Sequence, residues 1–103
     1  MSIEKPQSSY ESMILISVKN GEEATTAIIA KFKDLVESSA TLDSFEDLGV
    51  RKLAYLIEKE SDAHYLLFGF TSDADFPAEL ARISKITDGV LRIQTIRKGE
   101  QEV

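Results

Sequence analysis

Two stripes of apolar residues at helical spacing are separated by a pair of closely spaced apolar runs, and a further run lies at each end of the chain. These observations predict the order strand, helix, strand, strand, helix, strand. That order is a split βαβ, an α+β fold of the ferredoxin-like kind. Right-handed crossovers then place both helices on one face of a four-stranded antiparallel sheet. The other face is left open to solvent or to a partner. The 103 residues fit one domain. We expect it over residues 10–98, with a loose polar tail at 1–9 that contains Pro6 and a charged tail at 99–103.

The first strand runs from Tyr10 to Val18. Ile14, Ile16 and Val18 share one parity, and Met13 and Leu15 share the other, which suits a central strand. With the even residues toward the helices, Met13 and Leu15 lie on the open face. An apolar patch there marks them as candidate protein-partner residues. Asn20-Gly21-Glu22-Glu23 then starts a helix, with Asn20 as N-cap and Glu23 as the capping-box acid. Its apolar stripe is Ala24, Ala27, Ile28, Phe32, Leu35 and Val36, and it ends near Ser38-Ser39. Phe32 and Leu35 in such a stripe are core residues rather than ligand contacts.

Leu42 to Leu48 reads as an irregular extended segment bearing Asp43, Glu46 and Asp47. The stretch Gly49 to Lys59 follows. Leu53, Tyr55 and Ile57 fall on one parity and Ala54 and Leu56 on the other, the pattern of a strand covered on both faces. Gly49 at its start suggests a bulge or sharp bend. Arg51 and Lys52 stand at its wet end. An ordinary edge strand also uses Lys and Arg, to discourage edge-to-edge pairing. Glu60-Ser61-Asp62 is the expected turn, and Ala63 to Thr71 is the most apolar strand, so the two form a hairpin. Ser72-Asp73-Ala74-Asp75 caps the second helix, Pro77 falls in its first turn, and Phe76, Leu80, Ile83 and Ile86 form its stripe. Asp88-Gly89 stops it, and Val90 to Arg97 is the last strand.

Hydrophobic residues make up 43% of the chain and charged residues 29%, a soluble globular composition. The apolar run from Ala63 to Phe70 is too short to span a bilayer, and no apolar signal segment opens the chain. The expected location is the cytoplasm. The absence of cysteine excludes disulfides, thiolate metal sites and cysteine nucleophiles. A net charge of −6 is opposite in sign to that of a general nucleic-acid binder. Contact with RNA would have to come through local cationic patches, helped by a basic partner.

Catalytic chemistry is not legible. The single histidine, His64, lies in an apolar strand beside Tyr65, a setting for a packed or rim residue. No base, acid or nucleophile can be nominated to work with it. Asp73 and Asp75 are helix-start acids, since no calcium loop follows. The five glycines are scattered singly, so there is no phosphate-binding loop. No metal, cofactor or small-molecule substrate is implied. The common RNA-binding module of this topology stacks bases on third-strand aromatics after a basic-glycine opening. Here that strand reads His64-Tyr65-Leu66-Leu67-Phe68-Gly69-Phe70, which lacks the opening.

Several phrases together resemble a known family. They are Tyr10-Glu11, Gly49-x-Arg51-x-Leu53-Ala54-Tyr55-x-Ile57-x-Lys59, Tyr65, and Val90-Leu91-Arg92, with Phe32-Lys33-Asp34-Leu35 in the first helix. In these the chain resembles bacterial small-subunit ribosomal protein S6 from about Tyr10 to Lys98. The Arg-x-Leu-Ala-Tyr phrase is the specific part. The resemblance implies a ferredoxin-like fold and a non-enzymatic component of the small-subunit platform. It implies binding to the central domain of small-subunit rRNA as a heterodimer with ribosomal protein S18. By the same resemblance Arg51, Lys52, Arg92 and Arg97 are candidates for RNA or partner contacts. The family usually begins with a basic residue just before the Tyr-Glu pair, whereas Gln7-Ser8-Ser9 stand here. It also often has a glycine before the third strand, where this chain has Asp62-Ala63. The rival reading is a ferredoxin-like protein-interaction or small-molecule regulatory module outside the ribosome.

Overall fold

The computed structural model describes residues 7–98. The element order is β1 (Ser8–Ser17), α1 (Glu22–Ser39), β2 (Thr41–Ile57), β3 (Glu60–Ser72), α2 (Asp75–Ile86) and β4 (Val90–Arg97). The four strands form one antiparallel sheet in the order β2-β3-β1-β4, the ferredoxin-like arrangement. Of the two expected tails, 1–6 and 99–103 lie outside the described residues; Ser8 and Ser9 already pair in β1.

The faces of the sheet follow from alternation. Ile14, Ile16, Leu66, Phe68 and Phe70 share a core with Phe32 and Val36 of α1 and Phe76 and Leu80 of α2. Both helices therefore cover one face, α1 over β2 and β3 and α2 over β4. Phe32 and Leu80 are wholly buried, as the stripes predict. Tyr10 stacks on Phe70 at 5.7 Å, and Phe76 meets Phe70 edge-on at 5.4 Å, an arrangement that suits the ring quadrupoles. Gly69 stands opposite Ser44, whose hydroxyl occupies the space a side chain would need.

Several local expectations change. The N-cap of α1 is Gly21 and not Asn20; at φ 92° and ψ 167° it takes a turn closed to most residues, and no side chain caps the helix. The cap of α2 falls within Ser72–Asp75 as expected, and its atom is Asp73 Oδ1, which accepts from the N–H groups of Asp75 (3.0 Å) and Phe76 (3.2 Å). Ile86 ends the predicted stripe but is 68% exposed, because the buried positions Phe76, Leu80 and Ser84 repeat every four residues and Ile86 falls off that face. The segment Leu42–Leu48 is not separate from the next strand. It pairs with β3, and its irregularity comes from register shifts at Leu42/Ser44 and Asp47/Gly49. Gly49 sits at the second shift with φ 79°, and its N–H donates to Asp47 Oδ1 at 3.0 Å, the bulge its presence suggested.

The largest change concerns Leu53–Leu56. Lys52 still pairs with Asp62, and pairing resumes only at Ile57 with Glu60, so four residues of β2 stand against Ser61 alone. The mixed parity of this stretch reflects a wide bulge and not a strand covered on both faces. Tyr55 is 59% and Leu56 63% exposed. The turn also moves. Glu58 and Lys59, both at positive φ, make it, and Glu60 opens β3. Glu60 is buried, and both its carboxylate oxygens accept from Ser17 Oγ, at 2.7 and 2.8 Å. That contact fixes the hairpin end against β1.

Candidate functional site

Cross-strand register sorts the candidate residues by face, because directly opposed residues point the same way. Leu15 opposes Tyr65 on β3 and Arg92 on β4, while Met13 opposes Leu67 and Gln94. All six therefore lie on the face opposite the helices, as the parity of β1 predicts. Arg51 opposes Ala63, which opposes Ser17, so Arg51 belongs to this open face as well. Lys52 opposes Asp62 one residue on, and Arg97 opposes Tyr10; both lie toward the helix side. The structure thus brings Arg51 and Arg92 to one face, at its two edges, and separates them from Lys52 and Arg97. Three strand spacings set the two arginines roughly 15 Å apart at the backbone.

The open face has two halves. At one end a shallow depression is lined by Glu11, Met13, Leu67, Gln94 and Ile96, and Ile96 is 54% exposed. This half is largely apolar, and Met13 is half-buried within it. The other half is cationic and partly covered. Leu15 and Ala63 are buried although they belong to the open face and not to the core. The bulge of β2 reaches across this end: Arg92 Nη1 on β4 donates to the Tyr55 hydroxyl at 2.6 Å. Its guanidinium carbon lies 5.7 Å from the ring centroid, near the outer limit of about 6 Å for a cation–π contact. The hydrogen bond is therefore the main tie. Arg51 is exposed, and its Nε donates to the Leu48 carbonyl at 3.3 Å, which orients it beside the Gly49 bulge. Of the two candidate partner residues, Met13 presents surface, whereas Leu15 lies beneath this crossing.

The aromatics of β3 do not make a stacking platform. Phe68 and Phe70 face the helices, and Tyr65 is the β3 ring on the open side. His64 is a rim residue, with Nε2 2.6 Å from Asp47 Oδ1. Among the described residues no group of His, Cys, Asp or Glu could hold a metal ion, and no helix is long and apolar enough to cross a membrane.

A sequence model of the family described as Ribosomal protein S6 matches residues 9–97. The chain belongs to the ribosomal protein S6 family. It is similar to the small ribosomal subunit protein bS6 of Thermoanaerobacter pseudethanolicus, with 44% identity over 93 residues, covering 89% of this chain and 98% of the relative. The bS6 protein of Caldanaerobacter subterraneus subsp. tengcongensis gives the same identity and coverage. Among solved structures, the chain resembles 30S ribosomal protein S6 of Thermotoga maritima, with TM-score 0.84 and 29% identity over 90% of this chain and 89% of that one. Within this S6 fold, sequence reasoning missed one participant in the cationic half. By its parity alone Tyr55 is an ordinary strand residue. The signal present was a tyrosine amid apolar residues of both parities, which a bulge explains as well as a buried strand does.

Proposed function

We propose that this chain is a structural, non-enzymatic component of the small ribosomal subunit in the cytoplasm. It binds the central, or platform, domain of small-subunit rRNA as a heterodimer with ribosomal protein S18. The observation that carries this reading is the match to the S6 family over residues 9–97, which takes in both helices and nearly all of every strand. The open face supports it. Met13, with Leu67 and Ile96 around it, offers an apolar half to the protein partner, and Leu15 adjoins it beneath the bulge of β2. Arg51 and Arg92 offer phosphate contacts on the same face, and Lys52 and Arg97 offer a second group toward the helix side. Phosphate contacts of this kind position a protein on nucleic acid without reading its sequence. Gradient sedimentation of cell lysate with immunodetection tests the reading. The chain should travel with small subunits. Its recovery in the free-protein fractions alone would overturn the proposal.

A further inference from the structure

We propose that Tyr55 is a positioning residue, holding Arg92 as a preorganised receptor for an RNA phosphodiester on the open face. The inference rests on the ribosomal reading above and adds to it a residue with a defined task. Arg92 is exposed, so a ligand can reach it. A guanidinium carries five N–H donors in a planar fork. The contact with Tyr55 uses one of them, at Nη1, and leaves the others for a ligand. The phenol is a neutral acceptor. It fixes the direction of the fork without cancelling its charge, as a carboxylate partner would.

Tyr55 is itself held. The bulge that carries it is closed on one side by the Lys52–Asp62 pair and on the other by Ile57–Glu60. The far end is anchored through the Glu60 carboxylate on Ser17. A free arginine side chain loses rotamer freedom when it binds, and that loss weakens binding. Here much of the loss occurs on folding. Arg51 shares the face at the opposite edge. Two arginines spaced across one surface suit the repeated charges of a phosphodiester backbone better than a single carboxylate of an acidic peptide.

The test measures binding of the full chain together with S18 to a platform rRNA fragment across a salt series. The variants are Tyr55→Phe, Arg92→Ala and the double substitution. Arg92→Ala should lower the logarithmic salt slope by roughly 0.7–0.9, the loss of one phosphate contact. Tyr55→Phe should weaken binding about three- to tenfold with the slope unchanged, because the contact remains and only its preorganisation is lost. The double variant should bind no more weakly than Arg92→Ala. Unchanged or tighter binding by Tyr55→Phe would overturn the inference, as would an equal loss in the Arg92→Ala background. So would an Arg92→Ala variant that weakens S18 binding with the RNA slope intact, the sign of a peptide carboxylate. A second readout separates the inference from the function it rests on. The Arg92 Nε–Hε resonance of the free chain should shift and broaden in Tyr55→Phe. If the resonance does not respond, the positioning role fails whatever the complex does. If it responds but the wild-type chain with S18 binds no platform rRNA, the ribosomal reading fails and takes the phosphate ligand with it.

Discussion

Phe32 lies wholly buried where α1 meets the sheet, so its removal leaves a cavity in the core. Phe32→Ala should cost about 3–5 kcal/mol. Denaturant unfolding measures it, and a loss under about 0.5 kcal/mol would mean that the core has collapsed around the gap. Ser17→Ala probes a different interaction. It removes the hydroxyl that serves both oxygens of the buried Glu60 carboxylate. Stranding a buried acceptor costs about 1–3 kcal/mol, and more when it is charged. An unfolding midpoint that does not move would show that water replaces the hydroxyl. At this scale the two kinds of residue differ in what the sequence reveals. Phe32 repeats a helical period and could be placed in the core by counting. Glu60 could not, because a carboxylate beside a turn reads as solvated unless its partner, 43 positions away, is known.

At the scale of elements, periodicity identified both helices and all four strands, and it placed Ile14 and Ile16 against Met13 and Leu15 correctly. It failed where the ladder breaks. Register is a relation between two strands, and the four-against-one bulge at Leu53–Leu56 leaves no period of its own. The helix start shows a related limit. Asn20 has the preferred cap chemistry, yet the backbone turns one residue later, at Gly21. Gly49 was legible, since a glycine in a strand has few other uses. At φ 79° with open space where a side chain would go, its cost of substitution is backbone strain alone. Gly49→Ala should therefore destabilise by about 1–2 kcal/mol, and Gly49→Asn by less, because asparagine tolerates this region. Equal losses from the two, followed by thermal unfolding, would show that the bulge relaxes to another conformation.

For the whole molecule, the net charge of −6 sets the field that a nucleic acid meets first, and that field repels phosphate. The opposing cations are few and divided between faces. The chain alone should therefore bind platform rRNA weakly, and tight binding should appear when the basic partner is added. Filter binding over a salt series decides it; tight binding by the chain alone would sink the account. In the ternary complex Arg51→Ala with Lys52→Ala should reduce the logarithmic salt slope by roughly 0.7–1.8, the lower end if only the open-face arginine meets phosphate. The same charges have meaning for a different reagent. The exposed bulge of β2 is bracketed by Lys52 and Lys59, in a stretch where chain stands clear of the ladder. Exposed chain of this kind is where proteases cut first. Trypsin at low dose should nick the native chain at Lys52 or Lys59, in the bulge or the turn after it, before it touches the central strands. If partner and RNA cover the open face as proposed, the same bonds should resist cleavage, so that the bulge reports occupancy of the surface as a footprint.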